Sequence, residues 1–115
     1  MSATMPRRRA PAATASSTAA RLRPHARSAA NLLKALANEQ RLMILCNLSE
    51  GELSVGELNE RLPLSQSALS QHLAVLREQG IVDTRREAQV IRYSLRPGAA
   101  AQVVGLLHDL YCGRG

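Results

Sequence analysis

Two thiols and a short run of small polar side chains are where this sequence concentrates its chemistry. Cys46 and Cys112 are its two cysteines. A thiolate attacks disulfides, polysulfides and peroxides, and two thiols brought together can be bridged by oxidation and released by reduction. Taken alone, Cys46 reads as a small apolar filler beside Leu42 and Leu45, because free cysteine is among the most buried residue types. Cys112 is flanked by Gly113, Arg114 and Gly115, which offer it little to pack against. A helix C-terminus disfavours a thiolate, whereas Arg114 and His108, one turn earlier, favour one. A direct disulfide needs Cα atoms roughly 4.4 to 6.8 Å apart, so the pair is useful only if the fold brings together positions far apart in the chain.

The polar run is Ser67, Ser70, Gln71 and Ala74, opposite the apolar stripe of Leu69, Leu73 and Leu76 at helical spacing, and Gln66 in the first turn joins them as a candidate DNA contact. Ser, Gln and Ala are thin, uncharged and rich in hydrogen-bonding groups. They let a backbone approach base edges in a DNA major groove, where Gln can pair bidentately with adenine. The competing reading is an amphipathic helix packed on a core, which explains the leucines but not the missing Glu and Lys on the outer side.

The elements that must position these residues follow from local signals. Ser54 and Glu57 form a capping box that opens a helix ending near Leu62, and Pro63 forbids its continuation. Ser65 caps the next helix and Gly80 lies just past its end. Two helices across a short bend are a helix-turn-helix. Ile81 to Arg86 and Val90 to Leu95 then predict a β-hairpin with its tip at Glu87, Ala88 and Gln89. Such a hairpin after a reading helix is a wing. It sets Arg85, Arg86 and Arg92 where they can meet phosphates or a minor groove, unless they serve only to keep an edge strand soluble.

Upstream, a helix beginning near Pro24 or Arg27 carries Ala29, Leu32, Leu33 and Leu36, and Asn38 caps a second that ends before Gly51. Pro97 and Gly98 open a final helix whose Val103, Val104, Leu106, Leu107 and Leu110 make it apolar on most of its surface. That is more apolar surface than one small body covers. A homodimer through the first and last helices would bury it and would present two reading helices to successive major grooves.

Together these segments, LLKALANEQRLMILCNL, ELSVGEL, SQSALSQHLAVLREQGIV and TRREAQVIRYSL, resemble the ArsR/SmtB family of bacterial winged-helix repressors over roughly Ala29 to Cys112. Within it, the cysteine in the second helix and the one at the end of the last resemble the HlyU/BigR-like dithiol branch, which responds to reactive sulfur and oxidants. The resemblance implies a mainly α fold with a β-hairpin wing: four helices, two strands and a fifth helix. It implies double-stranded operator DNA as partner, the same homodimer interface, and a polysulfide bridge between the thiols as the switch.

Composition bounds the alternatives. The chain has 115 residues and a formal charge of +6. Residues 1 to 38 hold seven cations and no acid, while the rest hold eight arginines against nine acids, so charge placement rather than total must carry any DNA argument. Residues 1 to 26 are expected to be a disordered basic arm, and 27 to 115 the DNA-binding and dimerisation domain. With Phe and Trp absent and two Tyr present, the platforms of single-strand binders are missing, which favours duplex DNA. No membrane span or signal peptide is evident, which points to the cytoplasm, where disulfides are usually transient or sensory.

No cofactor is expected. A metal-responsive repressor of the same family is the alternative, but Ser54 and Gly56 stand where arsenic-type members carry thiols, and the last helix offers only His108 and Asp109 of a zinc-type set. His25 falls near the arm, and His72 reads as packing or a phosphate contact. A thiol oxidoreductase is disfavoured by the lack of a CxxC, so the chain is read as no enzyme. A sequence-blind architectural protein would bind all duplexes alike.

Overall fold

The computed structural model describes residues 17–113. It divides into a unit up to Ala30 and a second from Asn31. In the first unit, Ser17 accepts from the Ala20 amide and starts helix α1, Thr18–Leu22, which a 3-10 turn, Arg23–His25, follows with Pro24 at its beginning. Residues 17–26 were expected to belong to a disordered arm. The structure describes residues 18–26 in helical turns, because a serine cap satisfies an open amide and proline suits the first turn of a helix. The rest of that expectation, residues 1–16, lies outside the described residues.

Helix α2 spans Ala26–Leu36 and α3 spans Glu39–Leu48. Asn38 separates them in extended conformation and accepts from the Arg41 amide at 3.0 Å, as its type predicts. The capping box opens α4, Val55–Arg61: the Glu57 amide donates to Ser54 Oγ at 3.1 Å and the Ser54 amide to Glu57 Oε1 at 2.9 Å. Leu62 is extended, as a residue before proline must be, and the Asn59 side-chain amide donates to the Leu64 carbonyl at 2.7 Å, holding the bend.

Helix α5 spans Gln66–Glu78, capped by Ser65. Its far end is a Schellman closure, with Gly80 at φ +72°, its amide donating to Arg77 and the Ile81 amide to Leu76. Ile81 and Leu76 are both buried, the apolar contact that accompanies such closures.

Strands β2, Val82–Glu87, and β3, Val90–Leu95, form the hairpin, its first arm shifted one residue along the chain from the sequence expectation, so the tip is Ala88 and Gln89 alone. A further strand, β1, Leu53–Ser54, pairs antiparallel with β3, making the sheet order β1-β3-β2. Helix α6 spans Ala99–Cys112, with Gly98 as its cap and Pro97 just outside. The architecture is therefore a mainly helical winged helix-turn-helix, with α1 and β1 added to the expected elements.

One core lies beneath the reading helix. Ile44, Leu45, Leu58, Leu69, Leu73, Leu76 and Val82 are essentially sealed from solvent. They come from α3, α4, α5 and β2, so burial of roughly 1.5–3 kcal/mol per large side chain fixes the helix-turn-helix to both its support and its wing. Helix α6 is seated through buried Ala100 and Val104, with half-buried Val103 packed beside them, leaving Leu106, Leu110 and Tyr111 exposed at 56%, 67% and 85%. Among the described residues, no helix is long and apolar enough to cross a membrane.

Candidate DNA-reading surface and thiol cleft

Burial splits α5 as the sequence predicts: Leu69, Leu73 and Leu76 face the core, while Gln66, Ser67, Ser70, Gln71 and Ala74 are exposed. Among the described residues, the side chains of Gln66, Ser70 and Gln71 make no hydrogen bond, and Ser67 reaches only the capping Ser65, oxygen to oxygen at 3.3 Å. The donors and acceptors of this face are unspent. His72, on its flank, is half-buried and has Arg41 Nη1 3.5 Å from its Nδ1.

The wing is different. Arg85 donates Nε and Nη2 to the two oxygens of Glu52 at 3.0 and 2.6 Å. Arg92 donates Nε to Glu87 at 2.7 Å and Nη1 to Glu57 at 3.3 Å. Among the described residues, Arg86 makes no ion pair; it is exposed near the hairpin tip. Of the three arginines expected at phosphates, two are already held by carboxylates of their own chain. Composition hides this because Glu52, just before β1, and Glu57, in α4, lie more than thirty residues away from their partners.

These pairs hold the carboxylates ionised. The Arg85 hydrogen bond keeps Glu52 below the ordinary carboxylate range, and the Arg92 hydrogen bond does the same for Glu87. For Glu57 the Ser54 amide is the main cause, with Arg92 adding to it.

On another side of the fold, Cys46 and Cys112 line one cleft of about 700 Å³ between α3 and α6, with Asn47, Glu50, Val104 and His108. Both thiols are free; Cys46 is half-buried and Cys112 exposed. Burial pushes the Cys46 thiol above its ordinary value, and the nearby Cys112 pushes it the same way. The two are therefore close enough to feel each other's charge and unequal in access. Arg114, expected to favour a thiolate at Cys112, lies outside the described residues. Among the described residues, no group of three or more His, Cys, Asp or Glu side chains could hold a metal ion.

A reading helix on a leucine core, followed by a β-hairpin wing, defines the winged helix-turn-helix class of DNA-binding regulators. Residues 38–84 match the model of the bacterial regulatory protein, arsR family. The chain is 62% identical over 81 residues to the transcriptional activator HlyU of Vibrio cholerae, spanning 70% of this chain and 75% of that protein. It is 49% identical over 89 residues to the biofilm growth-associated repressor of Xylella fastidiosa, spanning 77% and 78%. The structure of reduced HlyU from V. cholerae superposes with a TM-score of 0.75 at 55% identity, covering 80% of this chain and 97% of that one. The chain belongs to the arsR family of bacterial transcription regulators.

Proposed function

We propose that this regulator binds operator DNA as a homodimer and that sulfur oxidation of Cys46 and Cys112 controls its grip. The observation that carries the reading is the shared cleft, lined by two thiols distant in sequence, one on α3 and one on α6. The relative solved as "reduced HlyU" bears a redox label that supports it. Gln66, Ser67, Ser70 and Gln71 would read base edges, while Arg86, and Arg85 and Arg92 once released by their carboxylates, would meet phosphates.

The greater exposure of Cys112 supports an order for the chemistry. The Cys112 thiolate attacks the central sulfane sulfur of an organic trisulfide, forming a mixed trisulfide between Cys112 and the organic group and expelling one organic thiolate. Cys46, on losing its proton to solvent, then displaces the organic thiolate and closes the bridge; longer sulfur chains bridge larger gaps. The polysulfide is reduced by two electrons and the two thiols are oxidised by the same two. A thiol reductant reverses the step, so the pair acts once per signal as a sensor and not as a catalyst.

Leu33 on α2 and Leu106, Leu110 and Tyr111 on α6 are the exposed apolar residues a second copy would cover. The relatives named as an activator and a repressor allow either effect on transcription. A mobility shift on the DNA upstream of this chain's own gene, at fixed salt, tests the proposal. Reduced protein should bind that duplex, polysulfide-treated protein should let go, and neither Cys46→Ser nor Cys112→Ser protein should respond. A Cys46→Ser protein that releases normally refutes the switch.

A further inference from the structure

The leucine stripe seats α5 in the core and packing sets its crossing angle, but each apolar contact is non-directional. A polar tie adds a directional constraint on what the reading face points at. Among the described residues, one polar side-chain contact joins α5 to another helix: Arg41 Nη1 to His72 Nδ1 at 3.5 Å. Arg41 is itself held from behind. Its Nε donates to the Ala35 carbonyl at 2.6 Å and its Nη2 to the Lys34 carbonyl at 3.3 Å, at the C-terminal end of α2, where helix carbonyls lack intrahelical donors and a cation is favoured. Its backbone amide is capped by Asn38 at the start of α3.

We infer that Arg41 is a positioning residue for DNA recognition, a three-way fork that references the rotation of α5, through His72, to the end of α2 and the start of α3. The inference rests on the DNA-binding reading and assigns neither residue a contact with a base. A guanidinium can only donate, so the contact uses the Nδ1 lone pair of His72 and leaves the Nε2 proton outward. The planar fork matters as much as the charge, because a lysine ammonium cannot reach three acceptors in fixed directions.

This geometry separates positioning from a direct DNA contact by His72. An asparagine amide places its oxygen near the position of Nδ1, whereas a glutamine amide places its polar end near that of Nε2. The test compares affinity for the preferred duplex with that for a scrambled one in wild type, His72→Asn, His72→Gln, Arg41→Lys and the Arg41→Lys, His72→Gln double variant. His72→Asn should keep the ratio within about twofold; Arg41→Lys and His72→Gln should each lower it about tenfold, the scale of one hydrogen bond. The double variant should lose no more than the worse single, as one shared tie requires. Retention by His72→Gln with loss in His72→Asn, or losses that multiply, overturns the inference.

A DNA-free readout keeps it separate from the function it serves. Imidazole nitrogen shifts of His72 in the free protein should report the Nε2–H tautomer and should change in Arg41→Lys. An unchanged ring spectrum overturns the inference even if operator binding is intact. A protein that prefers no duplex but shows the change refutes the proposed function and leaves the tie standing.

Discussion

Arg85 and Arg92 face each other directly across the β2–β3 ladder. Like charges so placed repel, and an isolated hairpin would be weakened by them. Three carboxylates lie around the pair: Glu52 from the turn before β1, Glu57 from α4 and Glu87 from the end of β2. Arg86, the next residue, pairs with Ile91 and so projects from the other face of the sheet. Among the described residues, the wing thus separates a face of compensated charge from one guanidinium that makes no ion pair.

Removing Arg86 should therefore affect DNA binding in a way that removing Arg92 does not. In Arg86→Ala the slope of log affinity against log salt should shrink by about one counterion with folding unchanged. Arg92→Ala should instead loosen the wing, seen as faster amide exchange in β2 and β3, with a smaller change in slope. Mobility-shift titrations across salt, paired with hydrogen exchange, check both.

Acid should open the same network. Glu52, Glu57 and Glu87 all titrate below the ordinary carboxylate range in the fold. A depressed folded value means the contribution is fully present above the unfolded value, about 4.3 for Glu, and is lost as pH falls through the folded one. Wing amides should stay protected at neutral pH and lose protection below about pH 4.3, before the buried helices do. All three carboxylates are exposed, so added salt should reduce the effect. Hydrogen exchange at stepped pH measures it.

The two thiols should differ in reactivity before any bridge forms. Iodoacetamide at neutral pH should label Cys112 several-fold faster than Cys46, whose thiolate is disfavoured and whose access is partial. Raising the pH should narrow the gap. Peptide mass spectrometry on a time course reads both rates, and equal labelling would contradict the order assigned to the two residues.

Gly80→Ala should destabilise the protein by about 1–2 kcal/mol, the cost of a left-handed backbone for an L side chain. The added Cβ would also stand 3.1 Å from Arg96 Nη1, a flexible tip that also holds Asp83. Denaturant midpoints should fall in proportion while affinity per folded molecule holds.

Much of this was legible in the chain because the signals are local. A capping serine, a proline that ends a helix, a glycine at positive φ and a leucine repeat each act within a few residues, so Ser54, Ser65, Pro63, Gly80 and the two faces of α5 could be read directly. Local signals also explain the helical turns that Ser17 and Pro24 start, in a segment whose composition suggests none.

Tertiary structure decided what depends on partners far along the chain. Pairing of Leu53 with Tyr93 creates β1, a two-residue strand that needs β3 to exist. Glu52 and Glu57 find Arg85 and Arg92 only once the sheet is assembled. Cys46 and Cys112 share a cleft only because Ala100 and Val104 seat α6 in the core. Sequence sets the dihedral preferences and the apolar period of each segment. Which charges meet, and which thiols become neighbours, follows from packing, whose energy comes from surfaces the linear order does not place together.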